Sequence, residues 1–181
     1  MTIKTLSSRE VYRNRWMRVR EDAILRPDGS QGIYGVVEKP EAAMIIPVQD
    51  GRVYMVQQYR YTAGARYWEF PQGTWETRPE ASAEEIARGE LREETGLAAG
   101  RLMLLARIHI AYGFLAQGMH VFVATELTQH RAQPEQEEGD LVCASFSWDE
   151  FHQMASDGRI ADAQTLAGYA LLREKHPELA G

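Results

Sequence analysis

The segment that most constrains the fold is a helical stretch, residues 82–95, because the sequence signals both of its ends. Ser82 followed by Glu85 is the pattern of a capping box at a helix start, and Gly96 is typical of the residue that ends a helix. Apolar residues recur between these ends at helical spacing, at Ile86, Ala87 and Leu91. A helix with one face packed against the rest of the protein is therefore predicted here.

The same stretch carries three carboxylates within one helical turn, Glu90, Glu93 and Glu94. Viewed down the helix axis, Glu90 falls between Ile86 and Ala87, on the side that should face a sheet. Like charges at this spacing repel each other, and a buried ionised acid is costly unless it is paired or bound to a metal. Carboxylate clusters suit hard cations such as Mg²⁺ or Mn²⁺, so the pattern predicts a metal site.

An alternative interpretation of the acidic helix is a solvent-exposed face, with Arg88 and Arg92 in ordinary surface ion pairs. The preceding segment, "YWEFPQGTWE", favours the metal site. It reads as a strand that runs through Pro71 into Gly73, so a glycine-containing loop comes directly before the acidic helix. Strand, glycine loop and carboxylate helix together form an arrangement suited to a metal-bound pyrophosphate.

The remaining sequence predicts a mixed sheet flanked by helices. One hairpin is expected around the Pro-Asp-Gly turn at residues 27–29, and a second, more deeply buried one around Asp50 and Gly51. Further strands are predicted in "RLMLLARIHIAY", "MHVFVATEL" and "LVCASFSW". The C-terminal region predicts a short helix and then an amphipathic helix, with an apolar face of Ala163, Leu166, Ala170 and Leu171.

The composition narrows the functional classes. A chain of 181 residues with 44% apolar residues predicts one folded domain with a sizeable core. The formal net charge of −6 argues against binding to nucleic acid or an anionic membrane, since both need a basic surface. The single cysteine, Cys143, is expected to be a core residue and fits a reducing compartment, and no apolar leader or membrane-spanning stretch is present. We therefore expect a cytoplasmic protein.

Residues 73–97, "GTWETRPEASAEEIARGELREETGL", resemble the box of the Nudix hydrolases: a glycine, a spaced glutamate, then Arg-Glu-apolar-x-Glu-Glu-x-Gly-apolar. The ending "ELREETGL" matches closely. The segments "RPDGS", "VQQYRYTAGARYWEFPQG", "MHVFVATEL" and "DAQTLAGYALL" look like the branch that cleaves ADP-ribose and related nucleoside diphosphate sugars. This resemblance implies an α/β fold, a Nudix-type α/β/α sandwich with a mixed β-sheet. It also implies an N-terminal antiparallel β-hairpin subdomain over residues 1–40, before a hydrolase domain over residues 41–181.

The sequence departs from the family pattern at two places. Gly89 stands where the box has its arginine, and the loop after Gly73 is two residues longer, so that the first box glutamate falls at Ala81 or is replaced by Glu80. In the family these two residues help to hold the loop against the helix. Arg88 is not expected to substitute, because one residue rotates a side chain far around the helix axis. A helical glycine costs about 1 kcal/mol relative to alanine, which indicates close packing against residue 89, although an incidental substitution is equally open.

The resemblance also implies roles for individual residues. Glu90 and Glu94 would be metal ligands together with the Gln72 carbonyl, and Glu93 would be a further ligand or a catalytic acid that orients the others. A general base would come from the acidic loop "PEQEEGD", where Glu137 and Glu138 are the predicted catalytic residues, with Glu135 behind them.

Arg60 and Glu69 are predicted to bind substrate, each with an open alternative. Arg60, at the end of the "QQYRY" segment, would donate to a phosphate as a planar fork or pair with Glu69. Glu69, just before the glycine loop, would contact a substrate ribose or pair with Arg60.

The function implied by the resemblance is Mg²⁺-dependent (or Mn²⁺-dependent) hydrolysis of ADP-ribose to AMP and ribose 5-phosphate. A homodimer whose N-terminal subdomains exchange between protomers is implied with it, and neither nucleic acid nor membrane is expected as a partner. One alternative is hydrolysis of another nucleotide sugar or of a dinucleoside polyphosphate. Another is a catalytically weak nucleotide-sensing module, which Gly89 and the longer loop favour and the retained carboxylates oppose.

Overall fold

The structure, a computed structural model, describes residues 2–75, 78, 80–130 and 140–181. The strands of its N-terminal half are β1 (Lys4–Arg13), β2 (Arg18–Leu25), β3 (Gln31–Glu38), β4 (Ala42–Gln49), β5 (Arg52–Arg60), β6 (Ala65–Glu69) and β7 (Gln72–Gly73). The strands that follow are β8 (Leu97–His109), β9 (Leu115–Ala116), β10 (Gly118–Gln129) and β11 (Val142–Ser147). The helices are α1 (Ala83–Thr95), α2 (Trp148–Ser156) and α3 (Ala163–Lys175), followed by a 3-10 turn at Pro177–Leu179.

The larger sheet is mixed, as predicted. Its strands lie in the order β11-β5-β4-β10-β8, with β6 added to β5 and β7 added to β4. Strands β4 and β10 run parallel, whereas β10 and β8 run antiparallel. The predicted second hairpin is confirmed, but β4 and β5 pair at only two positions, Val48 with Val53 and Gln49 with Arg52. The two strands then separate, because most of β4 pairs with β10 and β7.

Strand β4 shows why helices lie on both faces of this sheet. Successive strand residues point to opposite faces. Met44 and Ile46 are fully buried in the cluster that includes Trp148, Phe151, Met154 and Leu172 of α2 and α3. Ala43 and Ile45 are fully buried in a second cluster, which includes Ile86, Ala87 and Leu91 of α1. The predicted α/β/α sandwich is thereby confirmed.

Helix α1 begins and ends as the sequence predicts. The Ser82 side chain accepts from the Glu85 backbone, the Glu85 side chain accepts in return, and Gly96 ends the helix with φ 72°. These bonds satisfy backbone groups that a helix end otherwise leaves exposed. The buried positions of α1 lie on one side of the helix and are Ile86, Ala87, Glu90, Leu91, Glu94 and Thr95. The cap and the apolar positions thus fix which side of the helix turns inward.

The predicted apolar face of α3 is wrong. Ala163, Leu166 and Ala170 are exposed, and Leu171 is half-buried. The buried positions are instead Thr165, Gly168 and Leu172. Two tertiary contacts explain the difference: a Cβ at Gly168 would overlap Met44, and the Phe70 backbone N–H donates to Thr165 Oγ1 at 3.0 Å. Close approach to the sheet and one hydrogen bond outweigh the hydrophobic pattern of this helix.

The N-terminal region forms a second sheet in the order β1-β2-β3-β9. The predicted first hairpin is confirmed in β2 and β3, and β1 is an additional strand that the sequence patterns did not reveal. All ten residues of β1 are exposed, so this strand lacks the alternation of buried and exposed residues that signals a strand. Large apolar side chains exposed in this region are Ile3, Leu6, Val11, Tyr12, Trp16, Met17, Ile33 and Tyr34.

One smaller expectation, on Cys143, is corrected by the structure. Cys143 is half-buried in β11 rather than a full core residue, and burial raises the pKa of its thiol to about 11. No helix in the described part of the chain is long and apolar enough to cross a membrane.

Candidate active site

Two carboxylates of α1 turn toward the sheet. Glu90 and Glu94 have exposed fractions of 6% and 2%, while Glu93 is half-buried. The predicted inward position of Glu90 is confirmed, and a solvent-exposed acidic face is wrong for both buried residues. Helical periodicity sets this outcome, because Glu90 lies four residues after Ile86 and three after Ala87, and Glu94 lies one turn further along the same face.

The glycine loop lies directly against these carboxylates. Gln72 and Gly73 form the short strand β7, which pairs with Met44 and Ala43 of β4. The Gln72 backbone N–H donates to Glu94 Oε2 at 3.2 Å. A Cβ at residue 73 would overlap the carboxylate of Glu90, so only glycine permits this approach of loop and helix.

The chemistry of this donor set fits a hard divalent cation. Glu90 and Glu94 bring buried carboxylate oxygens to the loop backbone, and backbone carbonyls are the other oxygen donors that Mg²⁺ and Mn²⁺ accept. Within residues 2–75, 78, 80–130 and 140–181, no group of three or more His, Cys, Asp or Glu side chains is gathered as a metal cluster. The assignment of Gln72, Glu90, Glu93 and Glu94 as metal ligands stays a prediction.

Arg60 and Glu69 form an ion pair beside the loop. The Arg60 side chain donates to Glu69 through Nη2, and through Nε at 3.3 Å. Gln58 and Gln72 also donate their side-chain amides to Glu69, at 3.2 and 3.3 Å. Burial raises the pKa of Glu69, and the neighbouring Arg60 guanidinium partly offsets this rise. The structural alternative for Arg60 is therefore present, while its side chain is still 39% exposed.

This ion pair borders a cavity of about 490 Å³. The lining residues are Arg60, Thr62, Ala63, Tyr67, Glu69, Gln72, Ala161, Asp162 and Gln164. Gln72 connects the cavity to the carboxylates of α1, because its backbone N–H donates to Glu94 while its side chain lines the cavity. The arrangement can hold a polar ligand next to the acidic helix.

Sequence reasoning missed Asp162, which joins this network from α3. The Gln72 side-chain amide donates to Asp162 Oδ2 at 3.2 Å, and the same oxygen accepts from the Thr165 backbone at 2.8 Å. Asp162 is thus the N-cap of α3 and a neighbour of the glycine loop at once. An aspartate three residues before a threonine at a helix start signals the cap, but its contact with Gln72 spans 90 residues and has no local signal.

The structure shows what occupies the space next to Gly89. A Cβ at this position would overlap the indole ring of Trp75, so the predicted close packing is confirmed. Arg88 donates to Glu84 at 3.0 Å and to the Ala99 carbonyl at 2.9 Å, and so does not replace the missing box arginine. Ala81 packs against the second apolar cluster.

The three acidic residues predicted on the loop before β11 are not placed by the structure. Glu135, Glu137 and Glu138 lie outside the described residues. The proposal that Glu137 or Glu138 is a general base therefore stays a prediction from the sequence.

Comparisons with known proteins show the family to which this chain is related. A model described as NUDIX domain matches residues 38–169, and one described as nucleoside diphosphate sugar hydrolase N-terminal domain matches residues 3–37. An ADP-ribose pyrophosphatase from Mycobacterium tuberculosis is 32% identical over 91% of this chain and 80% of its own length. An ADP-ribose pyrophosphatase from Bacillus subtilis is 26% identical over 95% of this chain and 93% of its own length.

A solved structure shares the fold. The crystal structure of an ADP compounds hydrolase superposes with a TM-score of 0.85 at 23% identity, covering 96% of this chain and 94% of that one. This chain belongs to the Nudix family and is a Nudix hydrolase. Enzymes of this family generally use divalent metal ions.

Proposed function

We propose that this chain hydrolyses the pyrophosphate bond of nucleoside diphosphate sugars and that ADP-ribose is its substrate. Water adds across the P–O–P linkage, which gives AMP and ribose 5-phosphate. The observation that carries the proposal is the pair of buried carboxylates, Glu90 and Glu94, against the backbone of the Gln72–Gly73 loop. Two relatives that match more than nine tenths of this chain are named ADP-ribose pyrophosphatases, which supports the choice of substrate.

We assign the metal to Mg²⁺ or Mn²⁺, held by Glu90, Glu94 and the Gln72 carbonyl, with Glu93 nearby. When bound, such an ion neutralises pyrophosphate charge and polarises the phosphorus that water attacks. The formal net charge of −6 is then compatible with an anionic substrate, because the metal ion offsets charge at the site. The side chains that remain must bind the substrate, orient it and accept a proton from water.

Arg60 is assigned to the substrate phosphates. Glu69 contacts Nε and Nη2 of its guanidinium, which holds the fork at the edge of the cavity and leaves other N–H donors outside the pair. Glu69 is in this view both the residue that orients Arg60 and a contact for ribose hydroxyls. The general base is assigned to Glu137 or Glu138, and Glu93 is assigned to orienting the metal ligands.

We further propose a homodimer in which residues 1–40 complete the partner's nucleoside site. The fully exposed strand β1 and the apolar side chains around it, such as Leu6, Val11 and Trp16, support this proposal. Exposed apolar patches are typical of interaction sites.

The test is product release from ADP-ribose, other nucleotide sugars and dinucleoside polyphosphates, with Mg²⁺, with Mn²⁺ and with a chelator. Wild type is expected to release AMP from ADP-ribose only with metal. Glu94→Gln, which keeps the shape of the side chain, is expected to lose this turnover while its circular dichroism spectrum is unchanged. Nucleotide binding without turnover across the whole panel would instead favour the sensing module.

A further inference from the structure

We propose that Trp75 is a positioning residue for the metal site. Its indole ring packs against the backbone of Gly89, which has no side chain. This contact holds the loop against the helix at the position where the family has an arginine. The inference rests on the proposed function, because it concerns the same carboxylates. It adds a residue of this chain that the family pattern does not contain.

The contact depends on the absence of a side chain at residue 89. A Cβ built there would overlap Trp75 Cζ2 and lie 2.6 Å from Cη2. Glycine in a helix interior costs about 1 kcal/mol relative to alanine. Close packing of the Trp75 indole against Gly89 offsets this cost. Trp75 also packs against the apolar cluster of α1 that contains Ile86 and Ala87.

Trp75 makes one of two close approaches between the same loop and the same helical turn. Gly73 lies against the Glu90 carboxylate, and Trp75 lies against Gly89, the residue directly before Glu90. The two loop residues are two positions apart and the two helix residues are adjacent. Together they set the register of the Gln72–Gly73 backbone on α1, and hence the distance between the loop oxygens and the carboxylates.

Arg78 also contacts Trp75. Its guanidinium carbon lies 4.7 Å from the centre of the indole, a cation–π contact. Its backbone N–H donates to the Trp75 carbonyl at 3.1 Å, and its Nη2 lies 3.7 Å from Glu85 Oε1 in the first turn of α1. The indole thus contacts both the helix, at Gly89, and a cation that lies close to Glu85 of the same helix.

The experiment is a double-mutant cycle on Trp75 and Gly89, read out by Mn²⁺ binding without substrate. Free Mn²⁺ is followed by electron paramagnetic resonance during titration of the protein. Trp75→Ala and Gly89→Ala are each expected to weaken Mn²⁺ binding about 10-fold, the effect typical of residues that orient metal ligands. Gly89→Ala in the Trp75→Ala background is expected to have no further effect, because the overlapping ring is gone. Trp75→Phe is expected to recover part of the affinity.

Arg88→Ala is the matched control. This neighbour on α1 contacts Glu84 and Ala99 rather than the loop, and its removal is expected to leave Mn²⁺ affinity unchanged. Melting temperatures and ADP-ribose kinetics of every variant accompany the titrations. Loss of positioning is expected to lower kcat more than it raises KM. If Trp75→Ala does not fold, Trp75→Phe and Gly89→Ala carry the test.

Two results would overturn the inference. One is unchanged Mn²⁺ affinity in Gly89→Ala, and the other is an equal loss from Gly89→Ala with and without Trp75, which would assign the effect to the helix alone. These outcomes differ from failure of the proposed function. In that case wild type itself would bind no Mn²⁺ or release no product from the substrate panel.

Discussion

Single residues decide whether the loop can reach the acidic helix. Gly73 and Gly89 both lie where a side chain would overlap a neighbour, but the neighbours differ: one is the Glu90 carboxylate and the other is the Trp75 ring. Since the loop backbone cannot move away without breaking its pairing with β4, the missing side chains are requirements of packing and not of backbone conformation.

Gly73→Ala is expected to lower metal-dependent activity by about 100-fold, since a displacement of about 1 Å at a catalytic group can cost that much. The added methyl overlaps Glu90 and pushes either the loop or the carboxylate out of place. Initial rates on ADP-ribose over a series of Mg²⁺ concentrations measure the effect. Gly113→Ala, outside residues 1–40, is the matched control, because a Cβ there meets nothing within 4 Å, and it is expected to keep wild-type activity.

Contacts at the ends of helices and strands define the elements around the site. Helix α1 starts at Ser82 through a capping box, and α2 starts at Ser147 through the same motif with Glu150. Strand β4 begins next to Glu41, whose carboxylate contacts both β8 and the start of β10. The caps fix where the two helices start, and the contacts of Glu41 tie the start of β4 to β8 and β10.

Ser82→Ala and Ser147→Ala are each expected to lower the free energy of unfolding by about 1 kcal/mol, the usual value of a lost N-cap. Only Ser82→Ala is expected also to reduce turnover, because α1 and not α2 carries Glu90 and Glu94. Urea unfolding followed by circular dichroism gives the stabilities, and ADP-ribose hydrolysis gives the rates. Equal loss of activity in both variants would show that activity follows global stability instead of α1.

Glu41 is expected to stabilise the sheet in a pH-dependent way. Hydrogen bonds from Arg107, at 2.7 and 2.9 Å, hold the pKa of Glu41 below its usual value of 4.5. A carboxylate whose pKa is lowered by folding stabilises the protein above its unfolded pKa, and this contribution disappears as pH falls through the folded pKa. At pH 7 the free energy of unfolding of wild type should exceed that of Glu41→Gln by at most about 1 kcal/mol, because the ion pair of Glu41 and Arg107 is partly exposed.

The measurement is the unfolding free energy of wild type and Glu41→Gln between pH 7 and pH 3. The difference should be constant down to about pH 4.5 and shrink below it. In an Arg107→Met background the pH-dependent part of the difference should become smaller but not vanish, because the Gly118 backbone N–H and His120 also lower the pKa of Glu41. A difference that grows as the solution becomes more acidic would contradict the assignment of Arg107 as the cause.

On the scale of the whole molecule, the two sheets are linked by a short strand and a hydrogen bond. Strand β9 joins the N-terminal sheet from the region between β8 and β10, and pairs parallel to β3. Tyr34 of β3 adds a hydrogen bond to the Gly113 carbonyl at 2.6 Å. The N-terminal sheet is thereby attached to the hydrolase domain, while β1 at its edge stays exposed.

Leu6→Asp in β1 is expected to convert a homodimer into a monomer, because a charge in the proposed interface would have to be buried. Sedimentation velocity at several protein concentrations measures the mass. Leu104→Asp is the matched control: Leu104 is exposed to a similar extent, 56% against 53% for Leu6, but lies in β8 of the larger sheet. A wild type that sediments as a monomer would refute the dimer directly.

The sequence by itself determined the features that depend on neighbours in the chain. The caps of α1, the inward side of Glu90, the two hairpins and the mixed sheet all follow from local periodicity and turn chemistry. Tertiary structure alone decided the pairing of Arg60 with Glu69, the contact of Asp162 with Gln72, the seat of Trp75 on Gly89 and the buried face of α3. These depend on which surfaces meet after the chain has folded. A sequence pattern records the polarity of a surface but not the identity of the group that packs against it.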